Sequence, residues 1–363
     1  MSKLFEPVTI GPLHLRNRTV MAPMTRRASP LGVPGEDVRE YYLRRAEGGV
    51  GMVISEGLAT DHPASIHHPA VPNIFDPVAL AMWRQIAADV QAAGAAFVPQ
   101  LWHTGGARTK YEDVVNPEAR SISASGVYFP DKPYGEPITE SEIEAAVLSY
   151  GRGARAAMET GCDGVNIHGA HGYLIDSFFW NQTNLRSDGY GTTDRTRFAC
   201  EVIAECRRQT STDFPIMLRF SQFKEQAYEA RLADSPAELE SFLRPLVDAG
   251  VDIFDCSARR FWLPDFDDSE LSFAGWTRKL SGVPTMAVGS VGLDNDVISS
   301  QHQGLSSGAA SLDKLEAMLE RGEFDLVGIG RALISDPDWV AKVREGRLGE
   351  LRGFDVADLG ALV

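Results

Sequence analysis

Eight short apolar runs recur along the chain, and each is followed by a segment of helical length. They are TVMA (19–22), VGMVIS (50–55), AAFVPQLW (95–102), DGVNIH (163–168), PIMLRFS (215–221), VDIFDCS (251–257), PTMAVGS (284–290) and FDLVGIG (324–330). Most lack the alternation of a half-exposed strand. Strands that are apolar on both faces are buried on both, as in a parallel sheet covered by helices. Among the intervening segments, DVREYYLRRAEGG and DPVALAMWRQIAADVQAAG both close on glycine, a helix C-terminal signal. ITESEIEAAVLSYGRGARAAMETG opens with Thr139 and, three residues on, Glu142, the pattern of a capping box. Eight such units predict an α/β fold of the (β/α)8 TIM-barrel type. An open sheet stays in view, because strand count alone does not close a barrel. The Rossmann fingerprint is missing after the first strand, and GVGMV at 49–53 has the wrong spacing.

FEPVTIGPLHLRN, before the first strand, reads as a β-hairpin covering the barrel bottom. The stretch 103–138 is rich in Gly, Pro and Ser and forms a long loop after strand three, a length that generally carries function. No repeat or linker interrupts the chain, so residues 1–363 are expected to form one domain.

Lys and Arg number 35 against 50 Asp and Glu, a formal charge of −15. That balance argues against nucleic acid and anionic membranes as partners. Any anionic ligand must then be held by a local basic or amide-lined pocket. Cys162, Cys200, Cys206 and Cys256 form no CxxC pair, so the common zinc and iron–sulfur spacings are missing. The start shows no charged region leading into a long apolar one, and no run approaches the ~20 apolar residues of a spanning helix. The expectation is a cytoplasmic protein, monomer or homo-oligomer.

Catalytic groups of such barrels gather at the C-terminal ends of the strands. Those ends read APMTR, SEG, QLWH, HGAH, RFS, GSVG and GIGR. The last two are glycine-rich turns where barrels often bind phosphate, and Arg331 adds a forked cation; the plain alternative is tight turns. Arg219 ends an apolar run and suits an anionic ligand at a barrel mouth, or a surface carboxylate. Gln100 offers donor and acceptor to a heterocycle edge, or is a satisfied core amide. His168 and His171, with Tyr173, could hold a metal, relay a proton or grip a substrate. A metal would need a third ligand, for which Asp163, Asp176 and His103 are the candidates nearby. Two neutral imidazoles can instead hold one carbonyl oxygen between them, with Tyr173 as a phenolic acid. We read no metal site.

The set resembles the old yellow enzyme family of FMN-dependent NADH:flavin oxidoreductases and ene-reductases, almost end to end. The resemblance is carried by LFEPVTIGPLHLRNRTVMAPMTR, YYLRRAEGGVGMVISEG, QLWHTGGAR, NIHGAHGYLIDSFFWNQTNLRSDGYG and LVGIGRALISDPDW, in matching order. It implies a TIM barrel with FMN at its mouth. Pro23, Met24 and Thr25 would line the isoalloxazine, with the Thr25 hydroxyl on O4, and Gly57 would bring backbone to the same edge. Gln100 would bond the pyrimidine side, and Arg219 would sit by N1 and O2. Gly289, Ser290, Gly330 and Arg331 would hold the phosphate. NADPH or NADH would reduce the flavin, and hydride would pass in a ping-pong cycle to the β-carbon of an electron-poor alkene. His168 and His171 would bind the activating group, Tyr173 would protonate, and Trp102 would border the substrate. The chain departs from the family at Thr192, after strand five (RFSQFKEQAYEARL) and after strand six (CSARRFWLPDFDDSELSFAGW), where Phe261 and Trp262 are expected to shape a pocket wall or lid. Larger members carry a cysteine-rich iron–sulfur segment and further domains; this sequence stops at Val363 with neither, so a barrel-only member is expected.

Overall fold

Two short strands, β1 (Val8–Ile10) and β2 (Leu13–Leu15), pair antiparallel as the expected hairpin, with Val8 opposite Leu15. The structure, a computed structural model, describes residues 2–110, 114–129, 132–133, 135–297 and 303–363. After the hairpin come β3 (Thr19–Met21), β4 (Met52–Ala59) and β5 (Ala96–Trp102). The loop that follows contains β6 (Ile122–Ser123), β7 (Val127–Phe129), β8 (Lys132–Pro133) and β9 (Glu136–Pro137), while residues 111–113, 130–131 and 134 of it lie outside the described residues. Then come β10 (Val165–His168), β11 (Ile216–Ser221), β12 (Ile253–Ser257), β13 (Thr285–Val288) and β14 (Leu326–Ile329). The eight long-range strands close into a barrel in the order β10-β11-β12-β13-β14-β3-β4-β5, parallel at every junction.

Helices cover the outside for the reasons the sequence suggested. α1 (Glu36–Glu47) and α2 (Pro77–Ala92) follow β3 and β4, and Asp76 caps α2 by accepting from the N–H groups of Val78 and Ala79. α3 (Glu140–Glu159) has the Thr139/Glu142 capping box in both directions. α4 (Leu174–Phe179) begins immediately after Tyr173.

β4 runs to Ala59, past the expected end at Ser55. The register shifts between Ile54 and Gly57, which marks a bulge. Bulges re-aim side chains near active sites, and here Glu56 turns into a buried polar contact instead of ending the strand. The loop after β5 is held by buried Arg108. Its guanidinium donates to the carbonyls of Ile66 at 3.2 Å and Ala119 at 2.7 Å, and to those of Val115 and Asn116.

Inside the barrel two layers stack. The floor is apolar: Ile10, Leu13 and Leu15 of the hairpin meet Val20, Met52, Val98, Met217, Ile253, Met286 and Leu326. Two residues further along three of those strands, on the same face, stand Gln100, Arg219 and Asp255, and β10 adds Asn166 beside them. These four are buried and polar.

Candidate active site

A cavity of about 310 Å³ opens above the polar layer, at the C-terminal ends of the strands. That size suits a small-molecule site. Gln100, Trp102, His168, His171, Tyr173 and Arg219 line it together with Pro23, Met24 and Thr25. Gly289, Ser290, Gly330 and Arg331 close the far end. Thirteen of the fourteen site residues expected from the sequence therefore meet around one space. The exception is Gly57, which does not line it. A β-carbon at Gly57 would lie 2.6 Å from the Trp102 ring, so its missing side chain makes room for the indole.

The polar floor of the cavity is a directed chain of hydrogen bonds. Arg219 Nη1 lies 2.8 Å from both oxygens of Asp255, and Asp255 Oδ2 accepts from Asn166 Nδ2 at 3.0 Å. Asn166 Oδ1 in turn accepts from Gln100 Nε2 at 2.8 Å. Arg219 Nη2 also donates to Ser257 Oγ at 3.3 Å, and that hydroxyl is 2.9 Å from His171 Nε2. One hydroxyl thus joins the guanidinium to the imidazole.

His168 Nδ1 accepts the N–H of Ala170 at 3.3 Å, so its proton sits on Nε2 as a donor. The two imidazole centroids are 5.3 Å apart, and the Tyr173 ring is 5.0 Å from both His168 and Trp102. Burial, and then the charge of Arg219, hold both histidines well below the ordinary 6.5. They are neutral hydrogen-bonding groups at physiological pH. The Tyr173 hydroxyl donates to Glu225 Oε2 at 3.3 Å. The tight loop carrying these groups puts His171 at φ 63 and is fastened from below. Gly172 N–H donates to Asp176 Oδ2 at 2.6 Å, and the other Asp176 oxygen accepts from Lys224 Nζ at 2.7 Å, with both side chains fully buried.

At the far end, Gly289 takes φ 148, and a β-carbon there would be 2.4 Å from the Ala258 carbonyl, so only glycine fits. Arg331 donates to the carbonyls of Asn295 at 2.7 Å and Asp296 at 3.0 Å and to Ser290 Oγ at 3.2 Å. Burial pushes its guanidinium down to about 10, which leaves it cationic at neutral pH. A glycine turn with a serine hydroxyl beside a half-buried cation fits a phosphate. The buried Nε1 of Trp102, without a partner among the described residues, and the Arg219 guanidinium fit a polar heterocycle next to it.

One expectation needs correction. Phe261 and Trp262 do not line the cavity; Phe261 is buried in the outer core against Trp262 and Phe324, and Ser257, Ala258 and Arg259 form that wall. His103 does not join the histidine pair, because its Nε2 is 3.0 Å from His62 Nδ1. Asp163 accepts from Phe97 N–H at 2.7 Å at the opposite end of its strand. The sequence reading also missed Asn166 and Asp255, in the polar layer beneath the cavity, and Ser257, Glu225 and the distant Phe354 and Leu359, which line it. The segment carrying Leu359 is tied down through main-chain carbonyls: Arg26 donates to Asp358 at 2.8 Å and Ala361 at 2.6 Å, and Arg44 to Leu362 at 2.8 Å.

A sequence profile of the NADH:flavin oxidoreductase / NADH oxidase family matches residues 3–350. Flavin oxidoreductase hxnT of Emericella nidulans is 31% identical over 372 residues, which cover 95% of this chain and 91% of that protein. NADH oxidase of Thermoanaerobacter brockii is 29% identical over 99% of this chain, which spans only about half (53%) of that longer relative. Morphinone reductase shares the fold, with a TM-score of 0.79 over 99% of this chain and 93% of its own, at 24% identity. The chain belongs to the NADH:flavin oxidoreductase / NADH oxidase family, the FMN-binding family of the old yellow enzymes.

Proposed function

We propose that the chain is an ene-reductase that uses FMN, takes hydride from NADPH or NADH, and delivers it to the β-carbon of an electron-poor alkene such as an enone or nitroalkene. The observation that carries this reading is the meeting of two neutral imidazoles, a tyrosine hydroxyl and a buried guanidinium in one cavity. Bound FMN would supply the acceptance and return of hydride. Gln100 and Arg219 would hold its pyrimidine edge, Pro23, Met24 and Thr25 the ring, and Gly289, Ser290, Gly330 and Arg331 its phosphate.

The protein's own groups divide the remaining work. His168 offers an Nε2–H to the activating oxygen of the substrate, and His171 stands beside it. A neutral imidazole donates a hydrogen bond without surrendering its proton, so the histidines orient and polarise. Tyr173 gives its hydroxyl proton to the α-carbon, a positioned-acid role. Trp102 borders the same space and restricts how the alkene lies. One cavity serves nicotinamide and alkene in turn, which makes the kinetics ping-pong.

The test is anaerobic reduction of the FMN-loaded protein by NADH and NADPH separately, followed by enones, maleimides and nitroalkenes. The expected sequence is bleaching of the yellow protein and recovery of colour on adding an alkene. Bleaching without recovery by any of them would remove the alkene half of the proposal, and failure to take up FMN would remove all of it.

A further inference from the structure

We propose that Asp255 is a positioning residue for Arg219: it fixes the guanidinium at the cavity floor, offsets part of its charge, and so sets the reduction potential of the bound flavin. The proposal rests on the FMN-binding reading above. Asp255 does not line the cavity, and among the described residues it reaches it through Arg219 and Asn166. The register places it directly beside Arg219 on the neighbouring strand, and its side chain is 0% exposed against 7% for Arg219.

Among the described residues every polar contact of this carboxyl is to a donor: Nη1 of Arg219 to both oxygens, and Nδ2 of Asn166 to one of them. A protonated carboxyl would turn an O–H toward an N–H. The ionised form is therefore the one the geometry accommodates. Burial pushes the Asp255 carboxyl upward, while the Arg219 charge and the hydrogen bonds pull it back. The same contacts orient the amides, because Asn166 must present its N–H to Asp255 and its oxygen to Gln100.

The consequence is electrostatic. A lone buried guanidinium at the edge of the flavin would strongly favour the extra negative charge of the reduced state. A carboxylate 2.8 Å behind it in a low-dielectric layer offsets that preference. It also removes the cost of burying an unpaired cation. The cavity keeps Arg219's direction and hydrogen-bonding capacity with much of its field neutralised.

The experiment measures the midpoint potential of bound FMN by dye equilibration, with the dissociation constants of oxidised and reduced FMN, in wild type, Asp255→Asn, Arg219→Gln and the double variant. Asp255→Asn should tighten reduced relative to oxidised FMN about tenfold, a rise of about 30 mV for a two-electron couple. In the Arg219→Gln background the same change should shift the ratio less than about threefold, since a buried carboxyl without the guanidinium that pulls its pKa down takes up a proton and leaves little charge to remove. Asp255→Ser keeps an acceptor for Arg219 in a smaller volume; it should move the potential the same way and serves where asparagine disturbs packing. An unmoved potential in these variants, or an equal shift with and without Arg219, overturns the proposal. Failure of wild type to bind FMN overturns the reading beneath it instead.

Discussion

The barrel interior is built twice from the same strands. Val98 and Gln100, Met217 and Arg219, and Ile253 and Asp255 are pairs two residues apart on β5, β11 and β12, and so share a face. The first member of each pair joins an apolar floor sealed by the β1–β2 hairpin. The second joins a hydrogen-bonded polar layer under the cavity. The floor is held by burial alone and asks nothing of direction. The polar layer works only if every donor meets an acceptor, because an unmatched buried group costs about 1–3 kcal/mol. A step of 6–7 Å along each strand separates a region that stabilises from one that orients.

The strongest test of that division is made at the mouth. Tyr173→Phe removes a proton donor and leaves the ring. Oxidation of the reduced protein by a cyclic enone should slow about 10²–10⁴-fold, while reduction by NAD(P)H stays near wild type. Stopped-flow traces of the two half-reactions read both. A variant that reoxidises with cyclohexenone at wild-type speed would take the tyrosine out of the mechanism. The floor is tested by Ile253→Ala, which should cost about 2–5 kcal/mol of unfolding free energy. Denaturant titration of the holo-protein measures it. Where the variant is folded its FMN affinity should be unchanged, and a tenfold loss of flavin would show that the two layers are not independent.

Much of this architecture is legible in the sequence, because buried parallel strands announce themselves as apolar runs and catalytic groups follow their ends. His168, Tyr173 and Arg219 were found that way. Asn166 and Asp255 were not, since one polar residue inside an apolar run means little until the register sets it beside a partner. Gln100 opposite Asn166, and Arg219 opposite Asp255, is that missing information. Phe354 and Leu359 left no signal because the contacts that bring the segment of Leu359 to the cavity end on main-chain carbonyls, which every residue type offers. Phe261 and Trp262 misled for a related reason: bulk in a loop suits a pocket wall and an outer core equally well.

Arg331→Ala probes the far end of the mouth. It removes a charge-assisted contact worth about 1.5–3 kcal/mol, so FMN should bind roughly tenfold or more weakly, with the fold retained. Equilibrium dialysis checks it, and full flavin occupancy after extensive dilution would contradict the assignment of Gly289, Ser290, Gly330 and Arg331 to phosphate.

The smallest effect concerns what the rim of the mouth costs in stability. Glu56 accepts from the N–H groups of Arg26 at 2.9 Å and Arg27 at 3.2 Å, just after Thr25, and its other oxygen is buried with no partner among the described residues. Burial pushes this carboxyl up to about 7, from an ordinary 4.5, although the two N–H groups pull it down. The folded state therefore holds the proton more tightly than the unfolded chain. Glu56 contributes most stability below about 4.5, and that contribution falls as the pH rises towards 7, by up to about 1.4 kcal/mol per pH unit. Glu56→Gln keeps an acceptor for both N–H groups and cannot titrate. Between pH 5.5 and 6.5 wild type should lose more unfolding free energy than the variant, by about 1 kcal/mol. The other titrating groups are common to both proteins and cancel. Parallel pH dependences would mean that Glu56 is ionised throughout that range, and that the loop carrying Pro23, Met24 and Thr25 is held by a full charge. The apolar cluster of the floor contains no titratable side chain, so Ile253→Ala should lower stability equally at both pH values. The pH at which a variant's cost is read thus separates the orienting end of the barrel from the stabilising one.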